Sequence, residues 1–95
     1  VEVETVLRTM PGVTDAAVVG VEDAELGERI CAWIITDENA PSLTDVYSHF
    51  EKSGMARFKY PDQLEVVEAW PVTSVGKVDK RILAVMAAER RAAGN

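Results

Sequence analysis

Ninety-five residues, 47% hydrophobic and 27% charged, suffice for one domain with a modest core, and are too few for a large core around a deep enclosed active site. A net charge of −6 argues against nonspecific nucleic-acid binding, and the sequence has no apolar run long enough to cross a membrane. Residues 1–51 hold 11 acids and 2 bases, whereas residues 52–95 hold 5 acids and 8 bases; anion handling in the second half or scattered solvated charge both fit that asymmetry.

In chain order, Val3, Val6, Leu7 and Met10 recur at helical spacing, so a helix is expected until Pro11-Gly12 stops it. A helix reaching back to residue 2 or 3 with no cap, in a chain without an initiator methionine, leads to the expectation that the natural protein continues upstream. The valine-rich run VTDAAVVGV reads as a strand covered on both faces. After the polar turn EDAELGE, RICAWIITD reads as a second strand, with Ile30, Ala32 and Ile34 on one face and Cys31, Trp33 and Ile35 on the other. So short a connection makes the two antiparallel. Cys31 cannot form an internal disulfide, being the one cysteine, and without a basic neighbour is expected to be a buried structural thiol; a reducing cytoplasm suits it.

The clearest helix is APSLTDVYSHFEKSG. Ser42 is its expected N-cap, with Asp45 placed for a capping box. Leu43, Val46, Tyr47 and Phe50 form its buried stripe, Gly54 ends it, and His49 falls off the stripe as a solvated histidine. MARFKYP follows as a basic-aromatic loop, then DQLEVVEAW as a third strand with Leu64, Val66 and Val67 inward. Residues 71–80, PVTSVGKVDK, are loop, and Asp79 caps a last helix whose basic end complements its dipole. The order α-β-β-α-β-α gives an α+β class, a sheet of about three strands flanked by helices. No cluster of cysteine, histidine or carboxylate has metal-site spacing, so no metal site is expected.

The pair Gly76-Lys77 resembles the end of a phosphate-binding P-loop, but the pattern fails at both other key positions. Pro71 replaces the first glycine and has no N–H to offer a phosphate, and Val78 replaces the hydroxyl that would hold magnesium. What remains is a lysine beside a glycine, before a helix start. It is either an ordinary exposed loop lysine or a point charge on a long stem reaching a phosphate or carboxylate. Nothing else in the chain supplies a nucleophile with its base, a carboxylate pair or a phosphate cradle. A catalytic role for Lys77 therefore requires a site shared with other protein.

PVTSVGKVDK resembles the last core motif of the AMP-forming adenylating enzymes: acyl- and aryl-CoA synthetases, adenylation domains of nonribosomal peptide synthetases, and luciferases. The likeness extends to the helix-strand-strand opening of their C-terminal domain, through Glu4, Pro11-Gly12-Val13, Val19-Gly20-Val21, Asp23 and Gly27-Glu28, and to the closing stretch FKYPDQLEVVEAWPVTSVGKVDKRIL. FKYPD together with VGKVDK is most similar to the aryl-acid AMP ligases that load salicylate or 2,3-dihydroxybenzoate for siderophore assembly.

The resemblance implies that residues 1–95 are the small mobile C-terminal domain of such an enzyme. The large N-terminal domain, which would bind ATP, Mg²⁺ and the acid, and the hinge would lie upstream. It further implies that Lys77 enters the active site during adenylation, touching the carboxylate and the α-phosphate. Pro71, Thr73 and Gly76 would support its loop, Pro71 by rigidity and Gly76 by mobility or close approach. Trp70 either anchors the base of the loop or simply fills core. The domain would then rotate to let a pantetheine thiol, on an acyl or aryl carrier protein or coenzyme A, take the acyl group. Carrier proteins are acidic, so Arg29, Arg57 and Lys59 are candidate contacts. The spacing around Lys77 also resembles a site modified by protein acetyltransferases, which would remove its charge. The other readings are the same domain in an acyl-CoA synthetase or amino-acid adenylation domain, and a non-enzymatic module that binds a carrier protein.

Overall fold

The strand VTDAAVVGV pairs with the strand that follows it, and that pair is the frame for everything else. The computed structural model describes residues 2–25, 27–37 and 39–94. Helix α1 spans Glu2–Arg8, strand β1 Val13–Asp23, strand β2 Gly27–Thr36, helix α2 Leu43–Lys52, strand β3 Gln63–Val66 and helix α3 Lys80–Gly94. The sheet order is β1-β2-β3. As expected, β1 and β2 are antiparallel. The return through α2 brings β3 alongside β2 in parallel, Ala32 opposite Leu64 and Ile34 opposite Val66, as a helical crossover allows.

Both faces of the sheet are covered, and the residues of β2 alternate between two apolar clusters. Ala32 and Ile34 join Leu7, Met10, Ala16, Val46, Phe50 and Met55 beneath α1 and α2. Cys31 and Trp33 join Ala17, Val19, Val21, Leu83 and Ala87 beneath α3. The pairing of β1 slips between Val13 and Asp15. That irregularity inverts the alternation, so Val13 packs on the α1 side although Ala17, Val19 and Val21 pack on the other. Each fully buried side chain of the size of Phe50 or Leu83 contributes roughly 1.5–3 kcal/mol by leaving water.

Local signals set the helix ends. Asp45 N–H donates to Ser42 Oγ at 3.1 Å and Ser42 N–H to Asp45 Oδ2 at 2.9 Å, which completes the expected capping box. The N–H groups of Arg81 and Ile82 donate to Asp79 Oδ1 at 3.1 and 3.3 Å, so Asp79 caps α3.

Several expectations need correction. Only Val46 and Phe50 of the α2 stripe are buried; Leu43 is half-buried, and Tyr47 stands at the rim, its hydroxyl donating to Pro61 O at 2.7 Å. His49 is half-buried, its Nε2 lying 2.7 Å from Thr9 Oγ1, because α1 comes to rest beside it. The basic-aromatic loop contains a single 3₁₀ turn, Arg57–Lys59. The third strand stops at Val66, which is partly exposed; Val67 lies beyond the strand but still packs on the α3 cluster.

Candidate functional site: the Lys77 loop

Residues 71–79 form a narrow loop closed by an isolated antiparallel bridge between Val72 and Val78. Thr73 N–H donates to Lys77 O at 2.7 Å and Gly76 N–H to Thr73 O at 2.9 Å. Thr73 Oγ1 accepts from Lys77 N–H at 3.3 Å. These bonds describe a three-residue hairpin tip, Ser74-Val75-Gly76, whose last residue takes the positive φ that such tips require. Gly76 has φ +83°, and a Cβ built on it would meet nothing within 4 Å. Glycine is therefore demanded by the backbone conformation, and among the described residues nothing approaches it closely. Pro71 contributes its carbonyl, which accepts from Asp79 N–H at 2.8 Å and closes the loop where α3 starts.

Lys77 lies on the outer limb of this hairpin, exposed. Among the described residues its Nζ has no hydrogen-bond or ion-pair partner. The cations around it differ: Lys80 Nζ is 2.7 Å from Glu4 Oε2 and Arg81 Nε is 3.8 Å from Asp79 Oδ1. Lys77 is thus a free point charge on a framed loop, able to donate to an anion brought from outside.

The stems of the loop are tied to the sheet. Trp70 packs on the α3 cluster and its Nε1–H donates to Asp15 Oδ2 at 2.8 Å, so it anchors the base of the loop as well as filling core. That bond, together with donors from Arg8 and Ala16, holds the Asp15 carboxyl below the ordinary carboxylate range despite partial burial. Burial alone would raise the pKa of Glu4, but the Lys80 ammonium and the Val18 N–H outweigh it, and the net shift is downward. Glu4, as a support of this region, was not found from sequence, although a signal existed: it precedes Leu7 by three residues, which places an acid on the buried side of α1. Its partner Lys80 has no comparable signature.

The candidate carrier contacts separate. Arg29 is only 4% exposed, with Nε 3.2 Å from Asp23 Oδ2 and Nη1 2.6 Å from Gln63 Oε1. It holds β2 to β3 and is not a surface contact, which corrects that expectation. Arg57 and Lys59 remain outside, flanking Phe58, which is 78% exposed. Arg57 lies over the Tyr60 ring at 5.4 Å, and Lys59 Nζ is 2.6 Å from Glu2 Oε1. Cys31 is fully buried, and burial, with the Glu65 charge adding to it, pushes its thiol up to about 12, as suits an inert core residue. Among the described residues no group of three or more metal-ligating side chains converges, and no helix is long and apolar enough to cross a membrane.

The family profile described as "AMP-binding enzyme C-terminal domain" matches residues 2–77, ending on Lys77 itself. The chain belongs to that family. Among curated relatives of this AMP-binding C-terminal domain, the 2,3-dihydroxybenzoate-AMP ligase of Bacillus subtilis (strain 168) is 42% identical over 93 residues, which cover 98% of this chain and 17% of the relative. The medium-chain fatty-acid–CoA ligase of Escherichia coli (strain K12) is 38% identical over 84 residues, covering 86% and 15% respectively. Among solved structures, the apo structure of MbtA from Mycobacterium smegmatis superposes with a TM-score of 0.83 at 37% identity, over 88% of this chain and 16% of that one. The chain thus spans about a sixth of the length of the proteins it matches.

Proposed function

We propose that this chain is the mobile C-terminal domain of an AMP-forming ligase that activates an aryl acid, of the salicylate or 2,3-dihydroxybenzoate kind, and passes it to a pantetheine thiol for siderophore assembly. The observation that carries the reading is Lys77: an unpaired, exposed ammonium on a hydrogen-bonded hairpin, at the position where the family profile ends. The residues here fit one cation contributed to a nucleotide held elsewhere. They do not fit a nucleotide or magnesium site of their own, because the Lys77 loop closes on itself through Thr73 and Asp79 and, among the described residues, no metal-binding cluster exists. ATP, Mg²⁺ and the acid are accordingly assigned to a large N-terminal domain.

In the adenylating state Lys77 stands between two anions. The acid's carboxylate attacks the α-phosphorus, pyrophosphate leaves, and the ammonium offsets the repulsion between carboxylate and phosphate while holding the attack in line. Removing one such fixed donor costs about 10²–10³ in rate. Rotation of the domain then withdraws the lysine so that the thiol can attack the acyl-AMP carbonyl and release AMP. Arg57 and Lys59, beside exposed Phe58, are the remaining candidates for steering an acidic carrier protein.

A second reading keeps this mechanism and changes the acid, favoured by the 38% identity to a fatty-acid–CoA ligase. The test is acid-dependent ATP–pyrophosphate exchange by the complete enzyme, wild type and Lys77→Ala, alongside thioester formation from supplied acyl-AMP. The proposal expects exchange with an aryl acid that falls by about 10²–10³ in Lys77→Ala, with thioester formation kept. Exchange with fatty or amino acids alone would move the substrate, and loss of both steps to the same degree would refute the role given to Lys77.

A further inference from the structure

Lys77 carries its charge on a side chain that nothing among the described residues holds, so the two stems of its loop set where it is delivered. Each stem is fastened by a carboxylate from the α1–β1 unit. On the incoming side, Trp70 immediately precedes Pro71, and its Nε1–H donates to Asp15 Oδ2 at 2.8 Å. The other oxygen of Asp15 accepts from Arg8 Nε at 2.9 Å and from Ala16 N–H at 2.8 Å. The anchor is therefore itself fixed at both oxygens. On the outgoing side, Lys80 opens α3, and its Nζ lies 2.7 Å from Glu4 Oε2. The same oxygen accepts from Val18 N–H at 2.7 Å, on a strand that forms one edge of the sheet. Between the two anchors the loop is closed by the Val72–Val78 bridge and the Asp79–Pro71 bond.

We infer that Asp15 and Glu4, through Trp70 and Lys80, are positioning residues for Lys77: two acidic clamps that make the loop move as one body with the sheet when the domain rotates. This rests on the function proposed above for Lys77. The step affected is what separates placement from stability, since Lys80 keeps about half of its side-chain surface in water (52%) while Glu4 keeps only 11%, and removing one partner of a half-buried pair also lowers stability. Trp70 would keep its packing if only its N–H were lost. Position is more sensitive, since a displacement of about 1 Å at a reacting group costs on the order of 10² in rate. The clamps therefore carry a signature of their own, a loss confined to the step that uses Lys77.

The experiment uses the complete enzyme. Trp70→Phe keeps an aromatic ring, deletes the N–H and gives up part of the indole's packing; Lys80→Met keeps the stem and deletes the charge; Lys80→Arg restores the pair. Glu4→Gln leaves Lys80 charged but facing a neutral amide, which weakens the tie. Expected is a fall of roughly tenfold in kcat for pyrophosphate exchange with Trp70→Phe, Lys80→Met or Glu4→Gln, and roughly a hundredfold with both stems released. KM for ATP and acid should hold, thioester formation from supplied acyl-AMP should be unchanged, and Lys80→Arg should recover activity. Glu4→Gln combined with Lys80→Met should lose no more than either alone, since the two act as one tie.

Equal loss in both half-reactions would make the clamps merely structural and overturn the inference, as would unchanged exchange in all variants while Lys77→Ala is inactive. Loss in Lys80→Met but not in Glu4→Gln would overturn it too, because Lys80 would then act on substrate directly. Full exchange by Lys77→Ala would remove the proposed role of Lys77 and the clamps with it.

Discussion

Replacing Gly76 by alanine separates backbone geometry from chemistry in the candidate site. Gly76 holds φ +83°, where an L-residue's Cβ crowds the neighbouring carbonyl at a cost of about 1–2 kcal/mol. No neighbouring group adds to that, since a Cβ there meets nothing within 4 Å. Alanine also stiffens the unfolded chain, which returns about 0.4–1 kcal/mol. The net expectation is a loss of roughly 0–1.6 kcal/mol, read from urea unfolding of the domain. Gly76→Asn should lose less, because asparagine tolerates the left-handed region better. In the complete enzyme, pyrophosphate exchange should fall further than stability does. The strained tip gives up the Thr73–Lys77 bond, 2.7 Å in the native loop, and with it the lysine's placement. An alanine variant as stable as wild type and more stable than the asparagine variant would refute the reasoning, since the positive φ would then not be what glycine is there for.

Asp79→Ala removes the carboxylate that receives Arg81 and Ile82 N–H and should cost about 1 kcal/mol in urea unfolding, with Asp79→Asn retaining most of it. Cys31, its thiol pushed up to about 12, should resist iodoacetamide at pH 8 in the folded domain and be labelled only at the rate of unfolding; rapid labelling of native protein would contradict its burial. Asp15 and Glu4 both have pKa values lowered on folding. Their contribution to stability is thus complete above the ordinary carboxylate range, about 4, and is lost as pH falls through the lower folded values. Stability should be flat near neutrality and decline in acid, with a shallower acid slope in Trp70→Phe, the bond that contributes most to the Asp15 shift; an unchanged slope would contradict that assignment.

The loop region was legible because its signals are local. A glycine before Lys77 marks the turn, and an aspartate before an apolar-periodic run marks a helix start; both stand where the sequence put them. Arg29 misled for the opposite reason. Beside an apolar run an arginine reads as the solvated edge of a strand, but its guanidinium is enclosed by Gln63, 34 residues away. His49 likewise is half-buried against Thr9, 40 residues away and just past the end of α1.

By itself, the sequence determined the order of elements, the antiparallel β1–β2 pair, the caps at Ser42 and Asp79, and the alternation of β2 between two covered faces. Each follows from spacing within a few residues, where hydrogen bonding and side-chain direction are set by the local backbone. Only the tertiary structure decided the parallel seat of β3, the burial of Arg29, and the anchoring of the Lys77 loop through Trp70 to Asp15 and Lys80 to Glu4. Those partners lie 55 and 76 residues apart in sequence. No periodicity reaches that far, because such a pair meets only when the packing of α1 and α3 against one sheet has already brought both stems together.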